Sequence, residues 1–189
     1  MPKLIAREDE YQLLRAFLPR EVAAAPATLL IQGNPSTGKT YTLKRYLTAL
    51  KVNHSIIQCD QCVSPKVLWK RVINALQVDS GLVKKEKVSN DASLTASFQG
   101  FLRALRDFLA KYEYKKLHYI VLDRVDQVME DGDDVFTNFS KVHEILRAAN
   151  ISFIFVTSSR APRRLITSSV PTIFFGNYTS EQVVEILVK

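Results

Sequence analysis

The chain has 189 residues, of which 47% are apolar, and a formal net charge of +7. This size and composition suit one globular domain with a buried core. No apolar run approaches the roughly 18 residues of a membrane span, and the opening residues 1–5 do not form a secretory leader, so we expect an intracellular protein without a membrane partner.

The basic charge and the two cysteines each allow two interpretations. The basic residues are spread along the chain without interleaved aromatic positions, which favours a solvated surface over a nucleic-acid site. Cys59 and Cys62 form a single C-x-x-C, but zinc would need two further ligands and the histidines show no paired spacing. Buried thiols at a strand end are favoured over a metal or redox role.

The first predicted element is a helix over residues 7–18, with acidic residues in its opening turn and Pro19 after its end. A short link over 21–27 then leads to an apolar, β-branched strand over 28–32. The expected buried face of this helix consists of Leu13, Leu14, Phe17 and Leu18.

A phosphate-binding loop follows this strand, with the spacing G-x-x-x-x-G-K-[ST]. Gly33 and Gly38 permit backbone angles closed to other residues, so consecutive N–H groups can surround an anion. Lys39 supplies a charge for the β- and γ-phosphates, the Thr40 hydroxyl can ligate Mg²⁺, and a helix starting near Lys39 adds its positive dipole end. We predict that this loop binds a nucleotide through Gly33, Asn34, Pro35, Ser36, Thr37, Gly38, Lys39, Thr40 and Tyr41.

Two predicted helices separate the second and third strands, whereas a minimal β-α-β unit needs one. The second strand is predicted over 54–59, and Ser64 is expected to cap the helix that opens at Pro65. Residues 79–95 are polar and predict a surface loop. A second helix, over 98–112, has apolar residues at helical spacing.

Polar side chains end the next two strands. The apolar run 117–123 suits a buried parallel strand that delivers Asp123 to its carboxyl end, where a carboxylate can hold Mg²⁺, usually through water. A helix over 133–150 and a strand over 151–156 follow. A hydroxyl of Thr157 or Ser158 can then either contact the γ-phosphate or simply end the strand.

The last predicted elements are a strand over 172–175 and a helix that opens with the capping box Thr179-Ser-Glu-Gln182. Too few residues remain after the capping box for a complete helical element, so we expect the sequence to stop at a domain boundary.

The order strand, phosphate loop, strand, Asp-terminated strand, hydroxyl-terminated strand resembles that of AAA+ ATPases. The leading Ile5-Ala-Arg7-Glu8-Asp-Glu10 and the extra helix resemble the initiator clade of that family. Within the clade, the resemblance is to subunits of the eukaryotic origin recognition complex, and it is carried by residues 33–41, 59–62, 119–124 and 175–178. It implies an α/β P-loop NTPase fold of AAA+ type, a three-layer sandwich with a central five-stranded parallel sheet.

The same resemblance implies two parts of the chain and a set of roles. Residues 1–178 would be the RecA-like ATP-binding subdomain, and 179–189 the start of a truncated helical lid. The cofactors would be ATP and Mg²⁺, and the partners other AAA+ subunits of the complex and, through the assembled ring, origin DNA in the nucleus. Ile5 and Arg7 would lie by the adenine, Asp123 and Thr157 by the phosphates, and Thr40 and Asp123 by the metal.

One residue departs from the pattern of AAA+ ATPases that turn over. Those enzymes place a Glu directly after the strand-terminal Asp, as general base for the attacking water, and this chain has Arg124 there. A guanidinium stays protonated and offers no acceptor lone pair. The nearest later acid is Asp126. We therefore predict structurally held ATP with little or no intrinsic hydrolysis and assign no catalytic residue.

Other interpretations remain open at this stage. Arg163 and Arg164 could form an arginine finger in a neighbouring site or simply face solvent. With Arg160 they could also form the lid of a small P-loop phosphotransferase, such as a nucleoside or nucleotide kinase. A nucleotide-gated signalling switch is the third interpretation.

Overall fold

The fold is known from a computed structural model that describes residues 6–83, 97–127, 133–148, 150–158 and 170–188. None of the helices in these ranges is both long and apolar enough to cross a membrane. The predictions for Ile5, Arg160, Arg163 and Arg164 lie outside the described residues, as does the predicted loop from residue 84 onward.

Five parallel strands form one sheet in the order β2-β3-β4-β1-β5, which confirms the predicted α/β fold. The third and fourth strands are buried along their whole length, as expected for the centre of a parallel sheet. The strands are β1 (Thr28–Gly33), β2 (Asn53–Gln58), β3 (His118–Asp123), β4 (Ile151–Thr157) and β5 (Thr172–Phe175).

Helices cover both faces of this sheet. The helices in the described ranges are α1 (Glu8–Phe17), α2 (Lys39–Leu50), α3 (Pro65–Asp79), α4 (Phe98–Lys111), α5 (Asp133–Leu146) and α6 (Ser180–Leu187). One apolar core joins the sheet to α1 and α2, and the other joins it to α3, α4 and α5. Successive residues of β3 enter the two cores in turn, Tyr119 and Val121 the first, Ile120 and Leu122 the second.

Several boundaries and caps differ from the sequence predictions. Leu13 is 43% exposed rather than buried, because the contacts of α1 with α2 and β5 use Leu14 and Leu18. The Ser64 side chain makes no capping hydrogen bond to α3, whereas the predicted capping box of α6 at Thr179 is present. α5 ends at Leu146, four residues before the predicted Asn150.

The second strand also ends one residue earlier than predicted, at Gln58, and residues Cys59–Gln61 form a short 3₁₀ turn. Both cysteine side chains are buried, as the sequence predicted, and they are free thiols. The turn between them places the Asp60 side chain at the edge of the cavity described below.

Candidate nucleotide-binding site

The phosphate loop owes its shape to two residues in the left-handed backbone region. Gly38 has φ of 81°, as its sequence position predicts, and Ser36 has φ of 63°. The Thr37 hydroxyl donates a hydrogen bond of 2.8 Å to the Asn34 carbonyl and closes the loop on itself. α2 begins directly after Gly38, so its free N–H groups face the loop.

Gly33 is required for a different reason from the one predicted. Its φ is not positive, so conformational freedom is not what the position needs. A Cβ atom at residue 33 would lie 2.4 Å from the Phe175 carbonyl oxygen and 2.9 Å from the Phe175 Cβ. The neighbouring strand β5 therefore excludes any larger side chain at Gly33.

Lys39 lies beneath the loop and is only 7% exposed. Its ammonium donates hydrogen bonds of 2.9 Å to the Gly33 carbonyl and 2.7 Å to the Asn34 carbonyl. Burial lowers the pKa of Lys39, and the nearby Asp123 carboxylate opposes this shift. The charge of Lys39 is thus held at the base of a loop whose shape suits a phosphate.

Thr40 and Asp123 form the oxygen-rich side of the site. The Thr40 hydroxyl lies 3.0 Å from each carboxylate oxygen of Asp123. Burial raises the pKa of Asp123, and the hydrogen bond from Thr40 opposes this shift. A hydroxyl and a carboxylate are oxygen ligands of the kind that Mg²⁺ prefers, so this pair fits the metal that the sequence predicts. Among the described residues, no group of three or more acidic, histidine or cysteine side chains could hold a metal. A magnesium site does not need such a group, because Mg²⁺ typically keeps several waters and substrate phosphates as ligands.

Arg124 follows Asp123 and lines the same site. Its φ is 55°, in the left-handed region, and its guanidinium forms an ion pair with Asp60. Asp60 comes from the turn after β2, the strand that pairs with β3. The sequence analysis gave Asp60 no role, since only the folded chain brings it next to Arg124.

Asp126 is the nearest acid after Arg124 in the sequence, and its carboxylate is already hydrogen-bonded. One carboxylate oxygen accepts 3.0 Å from the Ser158 hydroxyl, and the other accepts 3.3 Å from the Ser158 backbone N–H. These contacts join the end of β4 to the turn after β3. The sequence analysis did not predict this contact of Ser158 with a carboxylate.

Arg7 is 4% exposed and ties the start of the chain to the segment after β5. It donates 2.6 Å to the Gly176 carbonyl, and its guanidinium lies 3.9 Å from the centre of the Tyr178 ring. A Cβ at Gly38 would lie 2.4 Å from the Tyr178 hydroxyl, so this ring also contacts the phosphate loop. The Asn34 amide adds a hydrogen bond of 2.9 Å to the Asn177 side chain.

Sequence reasoning missed the roles of Asn177 and Tyr178 in this cluster. The stretch 175–178 was singled out only because it resembles a known family, and no pattern of spacing connects it to residue 7 or 34. The contacts depend on the pairing of β5 beside β1, which places the residues after Phe175 against those after Gly33.

The phosphate loop, Asp60, Asp123 and Arg124 line a cavity of about 620 Å³ at the carboxyl ends of the strands. The structure brings together there almost all of the predicted loop, Asp123 and Thr157. Tyr41 also lines the cavity although it is 63% exposed. The complete lining is Pro35, Ser36, Thr37, Gly38, Lys39, Thr40, Tyr41, Asp60, Asp123, Arg124, Gln127, Val156, Thr157 and Ser158.

The chain is similar to known proteins in both sequence and fold. The family model of the AAA ATPase domain matches residues 3–154. The chain is 26% identical over 186 residues to origin recognition complex subunit 5 of Schizosaccharomyces pombe, and the match covers 98% of this chain and 38% of that protein. The chain spans less than half the length of the curated relatives that it matches. Residues 33–41, 59–62, 119–124 and 175–178, which carry the resemblance described under Sequence analysis, also resemble subunit 5 of that complex.

Two solved structures share the fold. The crystal structure of Cdc6p from Pyrobaculum aerophilum superposes with a TM-score of 0.72 at 20% identity, over 100% of this chain and 50% of that one. A chain in the structure of the Drosophila origin recognition complex bound to DNA gives a TM-score of 0.71 at 18% identity, over 96% of this chain and 46% of that one. These likenesses confirm the predicted P-loop architecture with a central five-stranded parallel sheet.

Proposed function

The chain belongs to the AAA ATPase domain family, and from that premise we propose that it binds ATP with Mg²⁺ and keeps the nucleotide intact as part of an origin recognition complex. The family implies nucleotide binding in general terms. The observation that carries the specific proposal is the position of Arg124, which lines the cavity beside Asp123 where a general base would be needed.

The phosphate-binding half of the proposal follows from the loop. Its backbone N–H groups and Lys39 would hold the β- and γ-phosphates, and the Thr40–Asp123 pair would hold Mg²⁺. The chemistry that Mg²⁺ would supply there is partial neutralisation of the phosphate charge. By resemblance Ile5 and Arg7 would lie by the adenine, and Arg7 is buried against the Tyr178 ring beside the phosphate loop.

Hydrolysis needs a group that accepts a proton from the attacking water, and the acids of the described site each already have a partner: Asp60 pairs with Arg124, Asp123 with Thr40 and Asp126 with Ser158. Arg124 cannot accept a proton, and Asp126 is engaged by both donors of Ser158. A missing base typically slows such a reaction by about 10²- to 10⁴-fold. ATP would then act as a structural ligand that stabilises the folded chain by about 4 kcal/mol at a thousand times its dissociation constant.

The biological part of the proposal is supported by the relatives. Their names place subunit 5 in the origin recognition complex, and one structural neighbour is such a complex bound to DNA. We propose that this chain likewise assembles with other AAA+ subunits in the nucleus and acts at origin DNA in replication initiation. Residues 1–178 would form the ATP-binding subdomain, and 179–189 the first turns of a helical lid. This proposal is favoured over a small phosphotransferase or a signalling switch.

Three measurements on the purified protein test the nucleotide proposal. Calorimetric titration should show ATP binding that is lost in Lys39→Ala, with Lys44→Ala on the same helix as a matched control. Single-turnover assays with γ-labelled ATP should show the bound nucleotide intact, and mass spectrometry should identify ATP in any co-purified fraction. Failure to bind ATP, or turnover at ordinary AAA+ rates that disappears in Asp126→Asn, contradicts the proposal. Co-purification with other AAA+ subunits of the complex tests the assembly.

A further inference from the structure

We propose that Arg124 is a specificity-determining residue that distinguishes ATP from ADP, because it exchanges its ion pair with Asp60 for an ion pair with the γ-phosphate of ATP. This inference rests on the proposed function, since it concerns the same nucleotide site. Arg124 would then contact the nucleotide directly, in addition to standing where AAA+ ATPases that turn over have a Glu. The pair Arg124–Asp60 is called the latch below.

Both residues of the latch belong to the wall of the cavity. Asp60 and Arg124 come from the carboxyl ends of the paired strands β2 and β3, in which Gln58 lies opposite Asp123. Each side chain lines the cavity together with the phosphate loop. A ligand that enters this space therefore meets the Arg124 side chain in the wall of the cavity.

The latch is also the part of the site best able to rearrange. The Arg124 side chain is 61% exposed and that of Asp60 is 29% exposed. Ion pairs at this degree of exposure contribute little to stability, so opening one costs little. Lys39, the other cation in the lining, is buried and bonded to two loop carbonyls. Of these two cations, Arg124 is the one free to follow a ligand.

The position of Arg124 suits contact with the γ-phosphate rather than with the rest of the nucleotide. Arg124 directly follows Asp123, whose carboxylate is bonded to the Thr40 hydroxyl on the side proposed for the metal. The Arg7–Tyr178 cluster occupies a different part of the site, against Gly38. A guanidinium binds phosphate with two parallel hydrogen bonds, and a terminal phosphate carries more charge than the single carboxylate of Asp60. ADP has no γ-phosphate, so the ion pair between Arg124 and Asp60 stays intact when ADP binds.

The test compares the ratio of dissociation constants, ADP over ATP, measured by calorimetry at one Mg²⁺ concentration. Arg124→Ala should lower this ratio about tenfold, mainly by weakening ATP, because a charge-assisted hydrogen bond is lost. Arg124→Lys should give an intermediate ratio, since it keeps the charge but loses the paired donors. Asp60→Asn should raise the ratio, because it removes the competing partner of Arg124 while leaving the guanidinium in place.

A matched control is available on α4, where exposed Arg103 lies 4.0 Å from Asp107. Arg103→Ala should leave the ratio unchanged. If the latch only braces the ends of β2 and β3, Arg124→Ala and Asp60→Asn should both lower the unfolding temperature without changing the ratio, and this result overturns the inference. If the wild-type protein binds neither nucleotide, the proposed function fails together with the inference. If it binds ATP and the ratio is the same in Arg124→Ala, the inference alone fails.

Discussion

The Thr40 hydroxyl lies 3.0 Å from each carboxylate oxygen of Asp123, so the first turn of α2 is bonded to the end of β3. This contact places the two proposed Mg²⁺-binding groups side by side. It also joins residues 83 positions apart in the chain, which the motif alone could not establish. The first prediction follows from this pair.

Asp123→Asn should weaken ATP binding in the presence of Mg²⁺ by about 10- to 100-fold, the usual cost of removing a group that orients a metal. Binding measured in EDTA should change little, because the phosphate loop and Lys39 are intact. The unfolding temperature without nucleotide should not fall, since burial already disfavours the Asp123 charge. Asp107→Asn, at an exposed position of α4, is the matched control, and equal losses with and without Mg²⁺ would contradict the assigned role.

Arg124→Glu should introduce the missing general base. We expect weaker ATP binding, because the new carboxylate adds negative charge beside Asp60 and Asp123, and a faster reaction of the ATP that is bound, by about tenfold or more. Single-turnover assays at saturating ATP separate the two effects. Arg124→Gln is the matched control, since it removes the cation without adding a proton acceptor. Equal single-turnover rates in the two variants would mean that the position does not approach the attacking water.

Gly33→Ala should destabilise the protein by about 1–3 kcal/mol, because the added Cβ overlaps the backbone of β5 and a packed strand shifts only at a cost. Urea unfolding followed by circular dichroism measures this change. Gly176→Ala is the matched control, since a Cβ there meets nothing within 4 Å. A loss of stability in both variants alike would show that the close approach of Phe175 is not the cause.

His118 should make the protein sensitive to mild acid. The residue is fully buried, with its ring nitrogens 2.9 Å from the Ser55 hydroxyl and 3.0 Å from the Tyr114 hydroxyl. Burial lowers the pKa of His118 from 6.5 to about 3. Between these values the unfolded chain binds a proton that the folded chain does not, so the free energy of unfolding falls as the pH drops below 6.5, by up to about 1.4 kcal/mol per pH unit from this residue.

The measurement for His118 is the pH dependence of urea unfolding between pH 4 and 8. His118→Asn should flatten the slope below the unfolded-state pKa relative to the wild type, although it lowers stability at neutral pH because the buried hydroxyls lose their partner. His143→Asn, on α5 and outside this hydrogen-bonded chain, should keep the wild-type slope. Identical slopes in all three proteins would rule out His118 as the source.

Much of the fold could be predicted because its signals are local. Apolar runs predicted the five strands, and periodic apolar residues predicted the helices to within a few residues at their ends. The incorrect predictions concern side chains whose burial or capping depends on tertiary packing. Leu13 has the spacing of a buried residue, but the contacts of α1 leave it exposed, and the Ser64 side chain does not cap although its position is typical of a cap.

The sequence by itself determined the phosphate loop, the carboxylate that faces it and the absence of a Glu after Asp123, because each depends on residue types at short, fixed spacing. Only the tertiary structure decided that Asp60 pairs with Arg124, that Ser158 engages Asp126 and that Tyr178 lies between Arg7 and Gly38. Those contacts join the ends of different strands. Their geometry follows from strand order and register, which no local spacing encodes.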